Sequence, residues 1–237
     1  MKEQIYNLQS VANSTASDRA GFIRRTYAHL AVAILAFIAI EYYLVNSPFA
    51  ASLASSMTGG MSWLVVIGLF MGVSYIANKL AVSQTSQQMQ YLGLGLFVVA
   101  EAIVFLPLLY IATIYGGDGV IASAGMMTLL LVGGITATVF ITKKDFSFMG
   151  SFLSMGGFVA LGFILCSIIF GFSLGLVFAS VMVVFAGGAV LYSTSNVLHQ
   201  HSTDQHVAAA LSLFASVALL FFYILQVLMS LGGGGDD

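Results

Sequence analysis

Seven long apolar runs constrain the fold of this chain more than any other feature of its sequence. Each run holds about 20 residues, the length at which a helix crosses a bilayer core of about 30 Å. Backbone polar groups in lipid must find partners within the structure, and no alternating strand pattern suggests a barrel. The sequence therefore predicts an all-α membrane protein, a bundle of seven transmembrane helices. The runs lie at approximately 26–45, 61–78, 91–113, 121–141, 151–170, 174–192 and 207–231.

The composition agrees with a chain that is surrounded by a lipid bilayer. Hydrophobic residues make up 59% of the sequence and charged residues only 7%, whereas soluble domains carry about a quarter charged residues. No basic patch indicates nucleic-acid binding, and with Cys166 as the single cysteine no internal disulfide can form. We expect a polar tail at 1–25, a membrane domain at 26–231 and a short Gly/Asp tail at 232–237.

The positions of the basic residues predict the orientation of the bundle. In the seven-span arrangement all of them fall on one side, and positive charge stays in the cytoplasm. The N-terminus is therefore expected inside and the C-terminus outside, although the sixth link, 193–206, carries no Lys or Arg. A six-span alternative would bring the C-terminus inside. The basic residues are Lys2, Arg19, Arg24, Arg25, Lys79, Lys143 and Lys144.

Small residues within the runs indicate where membrane helices approach one another closely, since such helices pack through small side chains. The alternative is that glycine is simply frequent in membrane helices. The candidate crossings are Gly68 with Gly72, the pair Gly133–Gly134, Gly156 and Gly157 with Ala160, and the pair Gly187–Gly188.

Glu101 is the candidate for an ion or proton site. It lies in the middle of the third run, six residues before Pro107. An ionised acid at that depth costs about 2.5–3.5 kcal/mol, so the side chain should face the bundle interior. Pro107 lacks an N–H and frees a carbonyl near residue 103, which favours a polar pocket. Two interpretations stay open: a proton or cation site, or a neutral acid hydrogen-bonded to a neighbouring helix. No Lys or Arg lies inside a run, so no buried ion pair is expected.

Other polar residues carry weaker signals. Glu41, near the outer end of the first run, is expected to reach solvent. The sixth link holds His199, His201 and His206, which are compatible with a metal site or with pH sensing near 6.5, but a solvated loop is favoured. We predict no metal and no cofactor.

The stretch GFSLG at 171–175 matches the nucleophile-elbow pattern of hydrolases. That motif requires a strand before the serine and a helix after it, whereas here it would link two membrane helices. No other catalytic motif is present, and we expect no enzymatic activity.

Five stretches of the sequence carry a family resemblance. They are FIRRTYAHLAVAIL at 22–35, AEAIVFLPLLYIA at 100–112, ITKKDFSFMG at 141–150, LYSTSNVLH at 191–199 and ALSLFASV at 210–217. Together they resemble the Bax inhibitor-1 superfamily, and most closely its bacterial YccA-like branch. The resemblance implies a helical bundle with a central last helix. It also implies two activities: some members are pH-sensitive calcium leak channels, and the YccA branch modulates the membrane-bound AAA protease FtsH.

One departure from the family pattern makes the calcium leak the less expected of these two activities. The calcium-leaking members carry paired aspartates at positions that match Ser193 and Ser216 here. Serine does not ionise, although the two hydroxyls could hydrogen-bond across the last two helices. The resemblance therefore favours a non-enzymatic modulator of an FtsH-like protease in the bacterial inner membrane, engaged through residues 1–25. The alternative is a pH-sensitive calcium or proton leak that uses Glu101.

Overall fold

The computed structural model describes residues 11–83 and 86–232, and the α-helices within them number eight. Seven are long and apolar enough to cross a bilayer, which confirms the predicted seven-span bundle. A short 3-10 turn, Val11–Asn13, precedes them. The helices are α1 (Ala16–Val45), α2 (Ala50–Thr58), α3 (Met61–Ala81), α4 (Gln87–Tyr115), α5 (Val120–Thr142), α6 (Met149–Phe170), α7 (Gly175–His199) and α8 (His206–Gly232).

The short helix α2 lies between the first two predicted spans, 26–45 and 61–78, where no helix was predicted. Its buried residues are Ala50, Ala54 and Met57, spaced four and three apart. That spacing puts them on one helix face, and α2 packs on α4. This spacing in the sequence could have indicated a helix. The helix was not predicted because its nine residues are too few to span a bilayer.

The last helix, α8, lies at the centre of the bundle and packs against α1, α3, α4, α5 and α7. Aromatic contacts tie it to its neighbours: the ring of Phe214 lies 5.9 Å from that of Phe37 in α1 and 6.2 Å from that of Phe97 in α4. About two turns further along both helices, the Phe105 ring of α4 stacks on the Phe221 ring of α8 with their centroids 5.9 Å apart. The central position implied by the family resemblance is therefore present.

The first helix begins well before the predicted start of the first span at residue 26. Thr15 caps it by accepting a hydrogen bond from the Asp18 N–H at 3.2 Å, as expected of a threonine N-cap. Val11 is fully buried, and Arg19 donates to the carbonyls of Val11 (3.1 Å) and Ala12 (2.7 Å). Residues 11–25 are thus packed or helical, and the rest of the expected 25-residue tail lies outside the described residues.

Glycine pairs proved to be an unreliable guide to helix crossings. A Cβ atom at Gly68, Gly72, Gly133 or Gly134 would meet no atom of the described chain within 4 Å, so the crossings predicted there are wrong. Gly156 and Gly188 do lie against neighbours, but these are side chains, the Phe185 ring and the Met149 methyl group.

Among the described glycines, Gly93 lies against the backbone of a neighbouring helix, a close crossing that was not predicted. A Cβ atom there would lie 2.5 Å from the carbonyl oxygen of Ala77 and 2.7 Å from the backbone nitrogen of Ala81. Gly93 therefore allows α4 to cross α3 backbone to backbone.

Candidate functional site

Several chain connections meet at one end of the bundle, here named the basic end. The Val11 N–H donates to the His201 carbonyl at 2.9 Å, which joins the N-terminal segment to the α7–α8 link. The Phe146 N–H donates to Ser195 Oγ at 2.8 Å, which joins the α5–α6 link to α7. The described basic residues, on the helix ends and links of this side, are Arg19, Arg24, Arg25, Lys79, Lys143 and Lys144.

The three histidines of the α7–α8 link do not converge on a common point. His199 Nδ1 lies 3.0 Å from the Ser195 carbonyl, the His201 ring lies 6.4 Å from Phe22, and the His206 ring lies 5.0 Å from His29. Within residues 11–83 and 86–232 no group of three His, Cys, Asp or Glu side chains could hold a metal ion.

The expectation of a solvated histidine loop is wrong for His206, although Gln200 and Asp204 in the same link are exposed. His206 is only 5% exposed, and its Nδ1 has no hydrogen-bond partner among the described residues. Phe22 and Val11 cover the side of the link that holds His201. The contact between His29 and His206, with Tyr91 stacked on His29 at 5.5 Å, was missed because it joins three helices that are distant in sequence.

The packing of His201 predicts a pH dependence of stability. Burial lowers the pKa of His201 below its usual value of 6.5, and a hydrogen bond between the His201 ring and the Gln205 side chain partly opposes that shift. Near pH 6 the unfolded chain therefore binds more protons than the folded chain, so the free energy of unfolding falls as the pH drops below about 6.5. Above about pH 6.5 His201 is neutral in both states and does not change the free energy of unfolding. Thermal unfolding in detergent between about pH 7.5 and 5.5 should show a weaker pH dependence in His201→Gln. An unchanged dependence would contradict this account.

Glu101 is buried at the interface between α4 and α8, with 7% of its surface exposed. It lies one helical turn from both Phe97 and Phe105, which contact Phe214 and Phe221 of α8. Among the described residues it makes no hydrogen bond or ion pair. The Glu101 side chain thus lies in the interior of the bundle, as expected. The residues one turn before and after it on α4 are aromatic, and no cation or hydrogen-bond donor of the described residues contacts its carboxyl group.

Glu41 is buried too, so the expectation that it reaches solvent is wrong. It is 5% exposed, and neither carboxyl oxygen has a hydrogen-bond partner in the described part of the chain. Leu109 and Thr113 of α4 and Phe221 of α8 lie around it, on the walls of a cavity of about 250 Å³. Its position near the helix end suggested solvent access, and only the packing of α1 on α4 and α8 removes it.

Ser193 of α7 and Ser216 of α8 meet inside the bundle with their Oγ atoms 2.7 Å apart. Ser212, which the sequence analysis did not single out, donates to Ser193 Oγ at 3.3 Å, and Ser216 donates to the Ser212 carbonyl at 2.9 Å. The four-residue spacing of Ser212 and Ser216 on one helix was the available signal. The cluster links the two helices through hydroxyl groups and carries no charge.

Comparison with known proteins decides the family of this bundle. The family model described as "Inhibitor of apoptosis-promoting Bax1" matches residues 19–233. This chain belongs to the Bax inhibitor-1 family. Its relatives include an uncharacterised protein of Pseudomonas aeruginosa, 32% identical over 243 residues and covering 100% of both chains. Bax inhibitor 1 of Schizosaccharomyces pombe is 28% identical over 95% of this chain and 82% of its own.

The bacterial branch of the Bax inhibitor-1 family is represented by the modulator of FtsH protease YccA of Escherichia coli. That protein is 33% identical over 114 residues, which cover 48% of this chain and 52% of the relative. The family resemblance inferred from the five sequence stretches is thereby confirmed.

Proposed function

We propose that this Bax inhibitor-1 family protein modulates a membrane-bound AAA protease of the FtsH type, as a non-enzymatic, multi-pass protein of the bacterial inner membrane. The supporting observation is its similarity to the modulator of FtsH protease YccA over about half of the chain. We further propose that the basic end faces the cytoplasm, in accord with the retention of positive charge on that side. The N-terminal residues then lie on the side where a cytoplasmic protease domain could engage them.

The structure narrows the segment that could engage the protease. Val11 is buried and hydrogen-bonded to His201, and α1 begins at Ala16. Val11, Thr15 and Arg19 thus contribute to the fold, and we propose residues 1–10 as the part of the segment 1–25 that contacts the protease. A deletion that reached residue 20 would also remove the Thr15 cap and the Arg19 hydrogen bonds, which would confound loss of contact with loss of folding.

Deletion of residues 2–10 should therefore abolish protease engagement and leave the bundle intact. The expected result is a loss of about tenfold or more in affinity for the purified FtsH-type protease, with both proteins in nanodiscs. Thermal unfolding should be unchanged because the contacts of Val11 and Arg19 remain. A variant with the order of residues 2–10 scrambled separates the need for a sequence from the need for length. Undiminished binding of the deletion variant would exclude this segment as the contact.

A second candidate function is a leak for protons or cations through the bundle, with Glu101 as the titrating group. Glu101 on α4, a buried carboxyl group without a described partner, favours it. The serine cluster argues against calcium as the ion, since calcium takes six to eight oxygen ligands that usually include several carboxylates. Flux through reconstituted protein with and without the Glu101 carboxylate tests this function.

A further inference from the structure

A cavity of about 250 Å³ opens near the end of the bundle opposite the basic end. Glu41 lines it from α1, one turn before that helix ends at Val45. The remaining walls are mainly apolar and hold three aromatic rings, and Tyr42, Asn46 and Thr113 add uncharged polar groups. The apolar residues include Phe37, Ile38, Leu109, Ile121 and Phe221.

Glu41 is the polar group that this cavity leaves unsatisfied. Its two oxygens are buried and have no hydrogen-bond partner among the described residues. A buried carboxyl group in that state is costly, several kcal/mol for an ion, unless it takes up a proton or a partner of opposite charge. The connections on this side, 46–60, 114–120 and 171–174, supply no such partner, since they contain no Lys or Arg and Asp118 adds a further negative charge.

A second apolar cavity of about 310 Å³ adjoins the first on the side toward the middle of the bundle. The two share the side chains of Phe37, Ile38, Ile121 and Phe221. Together they reach the range of small-molecule sites, roughly 300–1,000 Å³. The space is thus an elongated apolar slot with one carboxyl group at its outer end.

We propose that this slot binds an amphiphilic amine, a molecule with a primary ammonium group on a hydrophobic body. The ammonium group pairs with the Glu41 carboxylate and lies close to the rings of Phe37 and Phe221, which favour a cation over their faces. The hydrophobic body occupies the apolar slot between α1, α5 and α8. This binding is independent of protease modulation and of any role of Glu101.

The test uses the full chain in nanodiscs with naphthylethylamine as the probe and naphthylethanol as its neutral counterpart. Empty nanodiscs measure partition into lipid, which is subtracted. The amine should bind saturably and at least about tenfold more tightly than the alcohol, and Glu41→Gln should remove that preference. Glu101→Gln, which removes a different buried carboxyl group, should keep it.

A second variant covers the case in which Glu41→Gln fails to fold. Thr113 lines the outer cavity and is exposed, so Thr113→Leu narrows the slot and leaves the carboxyl group in place. It should weaken binding of the amine about tenfold or more. The proposal is overturned if the wild-type protein shows no saturable amine binding, if amine and alcohol bind alike, or if the folded Glu41→Gln or Thr113→Leu protein binds the amine as the wild type does.

Discussion

Replacing Gly93 with alanine is expected to destabilise the bundle by about 3 kcal/mol, at the upper end of the usual range for overpacking. The new methyl group would lie 2.5 Å from the Ala77 carbonyl oxygen and 2.7 Å from the Ala81 nitrogen. Both atoms belong to the backbone of α3, so no side-chain rotation can relieve the contact and the helices must separate. The loss can be measured as a lower melting temperature, or as unfolding at lower denaturant concentration, in a fixed detergent.

The matched control is Gly95→Ala, two residues along the same helix. A Cβ atom at Gly95 would meet no atom within 4 Å, and alanine is the better helix former by about 1 kcal/mol. This substitution should therefore leave stability unchanged or raise it. Equal effects of the two substitutions would show that α3 and α4 do not cross at Gly93 as described.

The Glu101→Gln protein should conduct ions at close to the background rate of empty liposomes if the bundle is a leak. Glutamine keeps the shape and hydrogen-bonding capacity of the side chain but cannot release a proton or carry charge. Since Glu101 lies at the interface of α4 with the central helix α8, its protonation state would control the passage of a cation through the interior. Proton and cation flux into liposomes should be measured between about pH 5 and 8, with wild-type flux varying across that range and mutant flux nearly constant.

Two controls make this flux experiment decisive. Empty liposomes give the background, and Glu41→Gln removes the other buried carboxyl group from its separate position in the outer cavity. Equal flux from the wild type and Glu101→Gln would exclude Glu101 from any conduction mechanism. Flux at background for the wild type would exclude the leak altogether and leave protease modulation as the remaining candidate.

Some features of the site could be predicted from the sequence and others could not. The interior location of Glu101 followed from the cost of exposing a carboxyl group to lipid, which applies whatever the helices beside it. Glu41 lies close to a helix end, where the sequence is equally compatible with a buried and a solvated side chain. The prediction that Glu41 reaches solvent was wrong. Ser193 and Ser216 were singled out through the family resemblance, but their 2.7 Å separation required α7 and α8 to be placed side by side.

The number and approximate positions of the seven spans were determined by the sequence alone, because the length and hydropathy of a run are local properties and lipid permits a helix as the outcome. The family was also recognisable from short stretches in order. Only the tertiary structure decided which glycines face another backbone, that Val11 and His201 are joined, and that Glu41 lines an apolar cavity. These depend on which helix lies opposite and at what height, and helices that are apolar on nearly every side leave little amphipathic signal to specify their neighbours.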